Sequence, residues 1–243
     1  MLMHRYQAAV DDLFKKIRDT QTESIIKAGN LVAETVENGG CIYLASICHS
    51  MENDLIYRGG GPIFYKHFSY NLNVEKNARK RGRSDLAIAD SIDAKYAIQK
   101  SDMRPGDVLF LSSVSGRTQS VVELAWEAKE FGINVIALTS MEYARTVDAV
   151  HPSGQKLYEF ATIVLDNCAP AAEAMLEVDG IEAKFAAASG IGSDYIMWSL
   201  TSVAVEKMLA DGFTPGILKS ANFPGGNEFN KTVVEPHYAE FGW

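Results

Sequence analysis

Short apolar runs alternate along this chain with longer segments whose apolar residues recur at helical spacing. Four of the short runs predict buried parallel strands: 41–45, 107–111, 134–140 and 161–167. A fifth stretch, 63–70, is rich in aromatic and β-branched residues and predicts a weakly alternating strand. The longer segments predict helices, chiefly at 86–98, 118–131 and 193–209. This alternation predicts an α/β fold with a mostly parallel sheet, in a single domain over residues 1–243.

The first 40 residues carry two helical stripes ahead of the first predicted strand. Thr20 and Glu23 lie between the stripes with the spacing of a capping box, so the pattern predicts two helices, or one broken helix. An extension of this kind, over residues 1–40, has to cover an apolar surface. That surface belongs either to its own sheet or to a second subunit.

Turn-forming residues mark three later segments. Residues 177–185 predict one or two short edge strands that turn at Gly180. The stretch 190–193, Gly-Ile-Gly-Ser, stands at the start of a helical stripe and is a potential anion site. Residues 219–243 show little helical or strand period, so we expect an irregular tail that crosses the surface.

The loop that follows the strand at 107–111 is the strongest candidate for a ligand site. Ser113, Ser115 and Thr118 can offer hydroxyl groups, and Gly116 lets the backbone come close to a ligand. The free N–H groups of the helix that follows favour an anion, so the three features together fit a dianionic phosphate. The same residues also suit an ordinary helix N-cap and turn, and the loop alone leaves both interpretations open.

Polar residues follow the other predicted strands as well. Ligands of parallel sheets bind outside the carboxyl ends of the strands, so we expect these loops to converge on one pocket. The candidates for lining it are Ser46, Ser50, Thr139, Ser140 and Asn167.

Proton transfer has three candidate residues, all after the first predicted strand: His49, Glu52 and Asp54. The two carboxylates could instead compensate the dipole of a short helix. The imidazole of His49 could line the pocket without reacting. The sequence leaves these alternatives open.

Composition narrows the class of protein. The chain has a net charge of −8 and a pI near 5.2, which argues against general affinity for nucleic acid. The basic stretch 76–83 is an exception that could meet a nucleic acid, an acidic partner surface or an anionic substrate, although such charge runs are usually solvated loops. No apolar run approaches the roughly 20 residues of a membrane span, so we expect no membrane partner.

Cysteine and histidine usage points to a cytoplasmic protein without a metal. Cys41, Cys48 and Cys168 are an odd number at wide spacing, which fits free thiols in a reducing cytoplasm. The five histidines show neither His-x-His nor His-Glu-x-x-His spacing. We therefore expect neither a metal site nor another cofactor.

The segment 107–118, followed by a helix and the strand at 135–140, resembles the core motif of the SIS (sugar isomerase) domain family. The chain is similar in particular to phosphoheptose-isomerase-like SIS proteins. The shared features are a His-Ser loop after the first strand, the segment 57–61, a Pro-Ser-Gly turn, an Asp-Asn strand end and a Ser-Ala-Asn-x-Pro-Gly-Gly tail. The resemblance covers most of residues 1–230.

This resemblance implies a three-layer sandwich around a five-stranded, mostly parallel sheet of the flavodoxin-like type. It also implies that Ser113, Ser115 and Thr118 hold the phosphate of a sugar phosphate, in a homodimer or homotetramer with the site near the subunit interface. The first-strand loop departs from the family pattern, because it reads Ala-Ser-Ile-Cys at 45–48 instead of Gly-Thr-Gly and is about two residues shorter. It is therefore open which residues of the family correspond to His49 and its neighbours.

Three functions are compatible with these residues. The first is an enzyme that isomerises a sugar phosphate between aldose and ketose, and the second is a lyase or etherase, which also begins by removing a proton next to a carbonyl. The third is a sensor that binds a sugar phosphate without turning it over. The first 40 residues supply no convincing helix-turn-helix, which modestly favours an enzyme over a sensor.

Overall fold

Five strands form a parallel sheet in the computed structural model, which describes residues 1–45, 52–72 and 86–241. They are β1 (Ile42–Ala45), β2 (Tyr65–Phe68), β3 (Val108–Ser112), β4 (Asn134–Thr139) and β5 (Ile163–Asp166). Their order across the sheet is β2-β1-β3-β4-β5, and every neighbouring pair is parallel. The strand order reverses between β1 and β3, which is the point where ligands of such sheets bind.

Helices cover both faces of this sheet. In chain order they are α1 (Leu2–Glu37), α2 (Glu52–Leu55), α3 (Leu86–Lys100), α4 (Gln119–Glu130), α5 (Met141–Thr146), α6 (Leu157–Phe160), α7 (Ser189–Ala210), α8 (Gly226–Phe229) and α9 (Glu235–Phe241). One apolar core joins the sheet to α1 and α7, and a second joins it to α3, α4 and α6. Because both faces are covered, β1 and β3 are buried along their whole length. The expected three-layer α/β fold is confirmed.

The N-terminal segment is one unbroken helix, so the predicted break near Thr20 is wrong. The hydroxyl of Thr20 donates to Lys16 O (2.8 Å), and the hydroxyl of Thr22 donates to Arg18 O (2.6 Å). These hydroxyls bond back into the preceding turn instead of capping a new helix. From Leu13 onward α1 buries an apolar stripe, so most of the predicted extension belongs to the core.

The packing of α1 on α7 depends on a glycine. A Cβ on Gly29 would lie 2.7 Å from Val203 Cβ and 2.8 Å from Leu200 O. The two helices therefore approach more closely than a larger residue would allow. This contact fixes α7 against α1 on one face of the sheet.

Two further strands form a hairpin apart from the main sheet. They are β6 (Ala174–Val178) and β7 (Ile181–Ala187), which pair antiparallel with each other around Gly180. The prediction of short strands turning at Gly180 is confirmed, but the hairpin pairs only with itself and forms no edge of the five-stranded sheet. Ala172 and Glu173 both have positive φ, which turns the backbone away before β6 begins.

Much of the C-terminal tail is helical, contrary to the expected irregular course. After Gly225, whose φ is +77°, the chain runs through α8, a π-helical turn (Asn230–Val234) and α9. The side chain of Asn230 bonds to both the N–H and the carbonyl of Lys219 (2.9 Å each), which closes the preceding loop. Val234 is buried, so the tail docks on the domain through a few apolar contacts that leave no clear period in the sequence.

Within the described ranges, no helix has the length and apolar character needed to cross a membrane.

Candidate functional site

The loop after β3 bends sharply at Gly116. The N–H of Ser113 donates to Leu138 O (3.1 Å), and the N–H of Gly116 donates back to Ser113 O (3.1 Å). Gly116 has a φ of +62°, and a Cβ there would lie 3.3 Å from Thr139 Oγ1. The left-handed backbone and the tight contact both favour glycine at this position.

The three hydroxyl-bearing residues of this loop differ in exposure. Ser113 is buried, Ser115 is half-buried and Thr118 is exposed. Thr118 occupies the N-cap position of α4, and its carbonyl accepts the N–H groups of Val121 and Val122. Its side chain makes no capping bond within the described residues. The hydroxyl of Thr118 is therefore open to a ligand, which weighs against the plain N-cap interpretation.

The start of α4 adds further hydrogen-bond donors beside these hydroxyls. The N–H groups of Gln119 and Ser120 come before the first N–H groups that bond to Thr118 O, so they have no acceptor within the helix, and the helix dipole attracts an anion to them. Among the residues that the structure describes, the side-chain nitrogen of Gln119 is buried without a hydrogen-bond partner. Arg117 is half-buried in the same loop and carries a positive charge. Hydroxyls, amide donors and positive charge in one loop suit a phosphate group.

Neighbouring segments hold this loop from two sides. Thr139 Oγ1 donates to Val114 O (3.1 Å), and the N–H of Ser140 donates to the same oxygen (3.0 Å). From the other side, the N–H of Leu157 donates to Gly116 O (2.8 Å). Thr139 is fully buried, so its hydroxyl shapes the loop and does not face a solvent-filled pocket.

Ser140 and Asn167 lie at the same edge of the sheet, but protein groups already engage their side chains. Ser140 Oγ donates to Ala169 O (2.6 Å) and accepts from Tyr143 N (3.0 Å), so it caps α5. Asn167 Nδ2 donates to Ser193 Oγ (3.3 Å), and its Oδ1 accepts from Ala169 N (3.1 Å). Both side chains therefore brace this edge of the sheet.

The loop after β1 lies outside the described residues, and with it Ser46, His49 and Ser50. The side chain of Glu52 and the basic stretch 76–83 are also outside the described part of the chain. Asp54 is described, and its exposed carboxylate forms an ion pair with Arg58, one helical turn further on.

Asp194 is a half-buried carboxylate on α7 that the sequence pattern did not single out. It lies on the first turns of α7, where a Cβ on Gly192 would come within 2.6 Å of Asn167 O, in the loop after β5. Asp194 is half-buried, and burial raises the pKa of its carboxyl. The charge of Asp54 raises this pKa further, while Arg58 lowers it. A raised carboxyl pKa at a strand edge is a common property of proton-transfer groups.

The stretch 190–193 lies in the first turn of α7 and packs against the loop after β5. The helix α7 begins at Ser189, so these residues lie inside its first turn and are not a loop ahead of it. Gly192 and Ser193 contact Asn167, which ties α7 to the end of β5. The only sequence signal for Asp194 is its position directly after this stretch.

A buried pair anchors the segment that braces Gly116. The N–H of Ser153 donates to His151 Nδ1 (3.2 Å), so the ring hydrogen lies on Nε2, which donates to a carboxylate oxygen of Glu123. Both side chains are almost fully buried. Because Glu123 belongs to α4 and His151 precedes α6, the pair ties the helix of the candidate site to its brace.

A separate cavity of about 770 Å³ lies beside the edge strand β2 and α3. Aromatic side chains form much of its wall, including Tyr43, Phe68, Tyr70 and Tyr96. None of its described lining residues belongs to the loop at 113–118. On the same edge strand, burial lowers the pKa of Lys66 to about 8.

Metal-binding and redox groups are sparse in the described residues. Within residues 1–45, 52–72 and 86–241, no three His, Cys, Asp or Glu side chains come together as metal ligands. Cys41 and Cys168 are free thiols, and burial raises the pKa of both. Thiols of this kind are poor nucleophiles.

Comparison with known sequences identifies the motif around this loop. A family profile described as "SIS domain" matches residues 5–140. A UPF0309 protein of Streptomyces coelicolor is 34% identical over 233 residues, an alignment that covers 94% of this chain and 92% of the relative.

Two solved structures share the fold. One is the phosphoheptose isomerase GmhA from Neisseria gonorrhoeae, with a TM-score of 0.51, 17% identity, and coverage of 84% of this chain and 97% of that one. The other is the Vibrio vulnificus NanR protein complexed with ManNAc-6P, with a TM-score of 0.53, 17% identity, and coverage of 97% of this chain and 70% of that one.

Proposed function

The chain belongs to the SIS domain family, and we propose that it binds a sugar phosphate at the loop after β3. The observation that carries the proposal is the geometry of that loop, in which Gly116 bends the backbone and Thr118 leaves its hydroxyl out of the helix cap. Ser113 and Ser115 supply the other two hydroxyls. The names of the two similar structures, a phosphoheptose isomerase and a complex with ManNAc-6P, support the same ligand class.

Phosphate suits this loop better than a neutral ligand does. A phosphate dianion accepts several hydrogen bonds at once, and the hydroxyls, the first N–H groups of α4 and the half-buried Arg117 all donate them. The braces from Thr139 and Leu157 hold the donors in place before the ligand arrives. Pre-organised donors reduce the entropy that is lost when the ligand binds.

We propose that the protein isomerises the bound sugar phosphate between its aldose and ketose forms. The phosphate loop follows β3, and β3 lies parallel and next to β1 at the point where the strand order reverses. The sugar carbons would therefore lie beside the segment that contains His49, Glu52 and Asp54. Holding the phosphate places the reacting carbons against a base, and such positioning can lower a barrier by several kcal/mol.

Two alternative functions use the same pocket. A lyase or etherase would begin with the same proton abstraction but would expel a group from the neighbouring carbon. A sensor would bind the sugar phosphate without turnover, and the likeness to NanR, which was solved with ManNAc-6P, favours keeping this alternative. Exchange of a sugar C–H hydrogen with solvent separates the sensor from both enzymes, and product analysis separates the two enzymes.

We also propose that the chain forms a homodimer or a homotetramer in the cytoplasm. The start of α1 and the hairpin expose apolar side chains, namely Leu2, Met3, Ile181 and Phe185, which a second subunit could cover. The free thiols Cys41 and Cys168 fit a reducing compartment. Light scattering after size-exclusion chromatography should give at least twice the mass of one chain, and a monomer would contradict the proposed assembly.

Ligand binding can be tested by thermal shift against a panel of pentose, hexose, heptose and N-acetylhexosamine phosphates. We expect at least one of them to stabilise the protein, because a ligand that binds only the folded state raises its melting temperature. The same sugars without phosphate should give no shift. The double variant Ser113→Ala and Ser115→Ala should lose the shift, whereas Ser202→Ala, an exposed serine on α7, should keep it. A shift that survives the double variant would place the ligand elsewhere.

A further inference from the structure

Three side chains beside α4 form a hydrogen-bonded triad: Ser153, His151 and Glu123. The hydroxyl oxygen of Ser153 lies 2.8 Å from Nδ1 of His151, and Nε2 of His151 bonds to a carboxylate oxygen of Glu123. The backbone N–H of Ser153 also donates to Nδ1 (3.2 Å), so Nδ1 is an acceptor and the ring hydrogen lies on Nε2. The Ser153 hydroxyl therefore donates to the imidazole, and the imidazole donates to the Glu123 carboxylate.

The triad runs from the surface into the interior of the protein. Ser153 is exposed, whereas the side chains of His151 and Glu123 are only 2% and 5% exposed. The N–H of Gln155 donates to Ser153 Oγ (3.2 Å). A hydroxyl oxygen has two lone pairs, so within the described residues one lone pair of Ser153 Oγ remains for an electrophile that arrives from solvent. The hydroxyl can thus be reached, while its base and the carboxylate behind it are shielded from water.

This arrangement is the one that activates a serine as a nucleophile. A serine hydroxyl reacts poorly until a neighbouring base takes its proton, and a third group has to fix the orientation and tautomer of that base. Here His151 accepts from the hydroxyl, and the buried Glu123 carboxylate would stabilise the imidazolium that forms. The turn at 152–154 is closed by a backbone bond, from the N–H of Gly154 to His151 O (2.9 Å), which does not need the serine hydroxyl.

An aromatic surface lies beside the imidazole of the triad. Trp126, on α4, is 39% exposed, and its ring makes a T-shaped contact with the His151 ring at 5.8 Å between centroids. The ring of Phe160 stacks on Trp126 at 6.0 Å and supports it. An exposed indole ring next to a nucleophile offers a flat apolar surface to an aromatic group. The surface therefore suits an ester whose leaving group is aromatic.

We propose that Ser153 accepts an acyl group from an aryl ester and passes it to water, an activity that does not depend on the sugar phosphate site. Ser153 Oγ bonds to the ester carbonyl carbon while its proton passes to Nδ1 of His151. The bond from that carbon to the aryl oxygen breaks, and the phenol leaves with the proton from His151. Water then attacks the acyl-serine and gives a proton to His151, which returns it to Ser153 Oγ as the carboxylic acid leaves. The net reaction is ester hydrolysis, with water as the only co-reactant.

Covalent labelling of the intact protein with an alkyl fluorophosphonate tests the nucleophile. The phosphorus of this probe bonds to an activated serine oxygen and fluoride leaves, and peptide mass spectrometry gives the rate at each serine. We expect Ser153 to react about 100-fold faster than Ser202, or more, because a positioned base contributes a factor of this order. Ser202 is the matched reference, since it is also exposed but its hydroxyl donates to a backbone oxygen, Trp198 O (2.8 Å). Equal rates at the two serines would overturn the proposal.

Hydrolysis of 4-nitrophenyl acetate tests the acyl transfer. Ser153→Ala should lower the rate by about tenfold or more, and Ser202→Ala should keep the wild-type rate. Glu123→Gln keeps the size of the buried side chain but removes its charge, and it should slow both labelling and hydrolysis by about tenfold or more. Melting temperatures show which variants are folded.

Two results would overturn the proposal through the serine itself: no hydrolysis by the wild-type protein, or a wild-type rate in Ser153→Ala. A folded Glu123→Gln variant that reacts at wild-type rates would overturn the role of the triad. Because Ser153 is exposed, Ser153→Ala should fold normally, and it decides the proposal even if Glu123→Gln does not fold.

Discussion

Gly116→Ala tests whether the bend after β3 creates the phosphate site. Gly116 has a φ of +62°, and an L-residue in this left-handed region costs about 1–2 kcal/mol. The new Cβ would also lie 3.3 Å from Thr139 Oγ1 and 3.6 Å from Leu157 Cβ, so the braces of the loop have to shift. We expect the melting temperature to fall by roughly 2–8 °C. We also expect at least a tenfold loss of sugar phosphate affinity, or about 1.4 kcal/mol.

Gly39→Ala is the control for this prediction. Gly39 has a φ of +75° and lies between α1 and β1, at the opposite end of the sheet, and its Cβ would meet no atom within 4 Å. The backbone cost should therefore be similar, but the affinity should stay at the wild-type value. Thermal melts and calorimetric titration with the same sugar phosphate measure both quantities. Equal affinity losses in the two variants, or full affinity in Gly116→Ala, would refute the reasoning.

Three further predictions concern packing and buried charge. Gly192→Ala would place a Cβ 2.6 Å from a backbone oxygen and should destabilise the fold by about 1–3 kcal/mol. Gly190→Ala has open space around its Cβ and should stabilise α7 by about 0.5–1 kcal/mol. Equal effects of the two variants in denaturant titrations would contradict this prediction. His151→Ala leaves the Glu123 carboxylate buried without its donor and should destabilise the fold by about 3–5 kcal/mol in the same assay. A loss below about 1 kcal/mol would contradict the stabilising role of this pair. The pKa of Lys66 is about 8 in the folded protein, and the ordinary value is 10.5. Between these two pH values the unfolded chain binds more protons than the folded protein does. The free energy of unfolding should therefore rise with pH across that window. Lys66→Met should remove this contribution from a pH series of melting curves, and an unchanged slope would contradict it.

The sheet could be predicted because its strands are short apolar runs bounded by turns. The run before Ser113 is buried on both sides, so its residues need no alternation, and helices with apolar stripes flank it. The prediction of a break near Thr20 was wrong because a threonine hydroxyl can either cap a new helix or bond to the preceding turn. The sequence alone does not distinguish these two arrangements. The helical tail was missed because only a few of its residues, such as Val234, are buried.

Only part of the candidate site could be predicted, because some of its features are local in the sequence and others depend on contacts between distant segments. The loop at 113–118 could be found because its hydroxyls, its glycine and the start of its helix are adjacent in the sequence. Thr139, Ser140 and Asn167 were correctly placed at strand ends, but whether their side chains face a ligand depends on partners far along the chain. The partial burial of Asp194 could not be predicted, because it results from the packing of α7 and not from the residues next to it in the sequence.

The most direct test of sugar phosphate binding is a crystal structure of the protein with a sugar phosphate from the panel. We predict that the phosphate oxygens lie within hydrogen-bond distance of the hydroxyls of Ser113, Ser115 and Thr118 and of the first N–H groups of α4. A phosphate bound away from this loop, for example in the cavity beside β2, would contradict the proposed site.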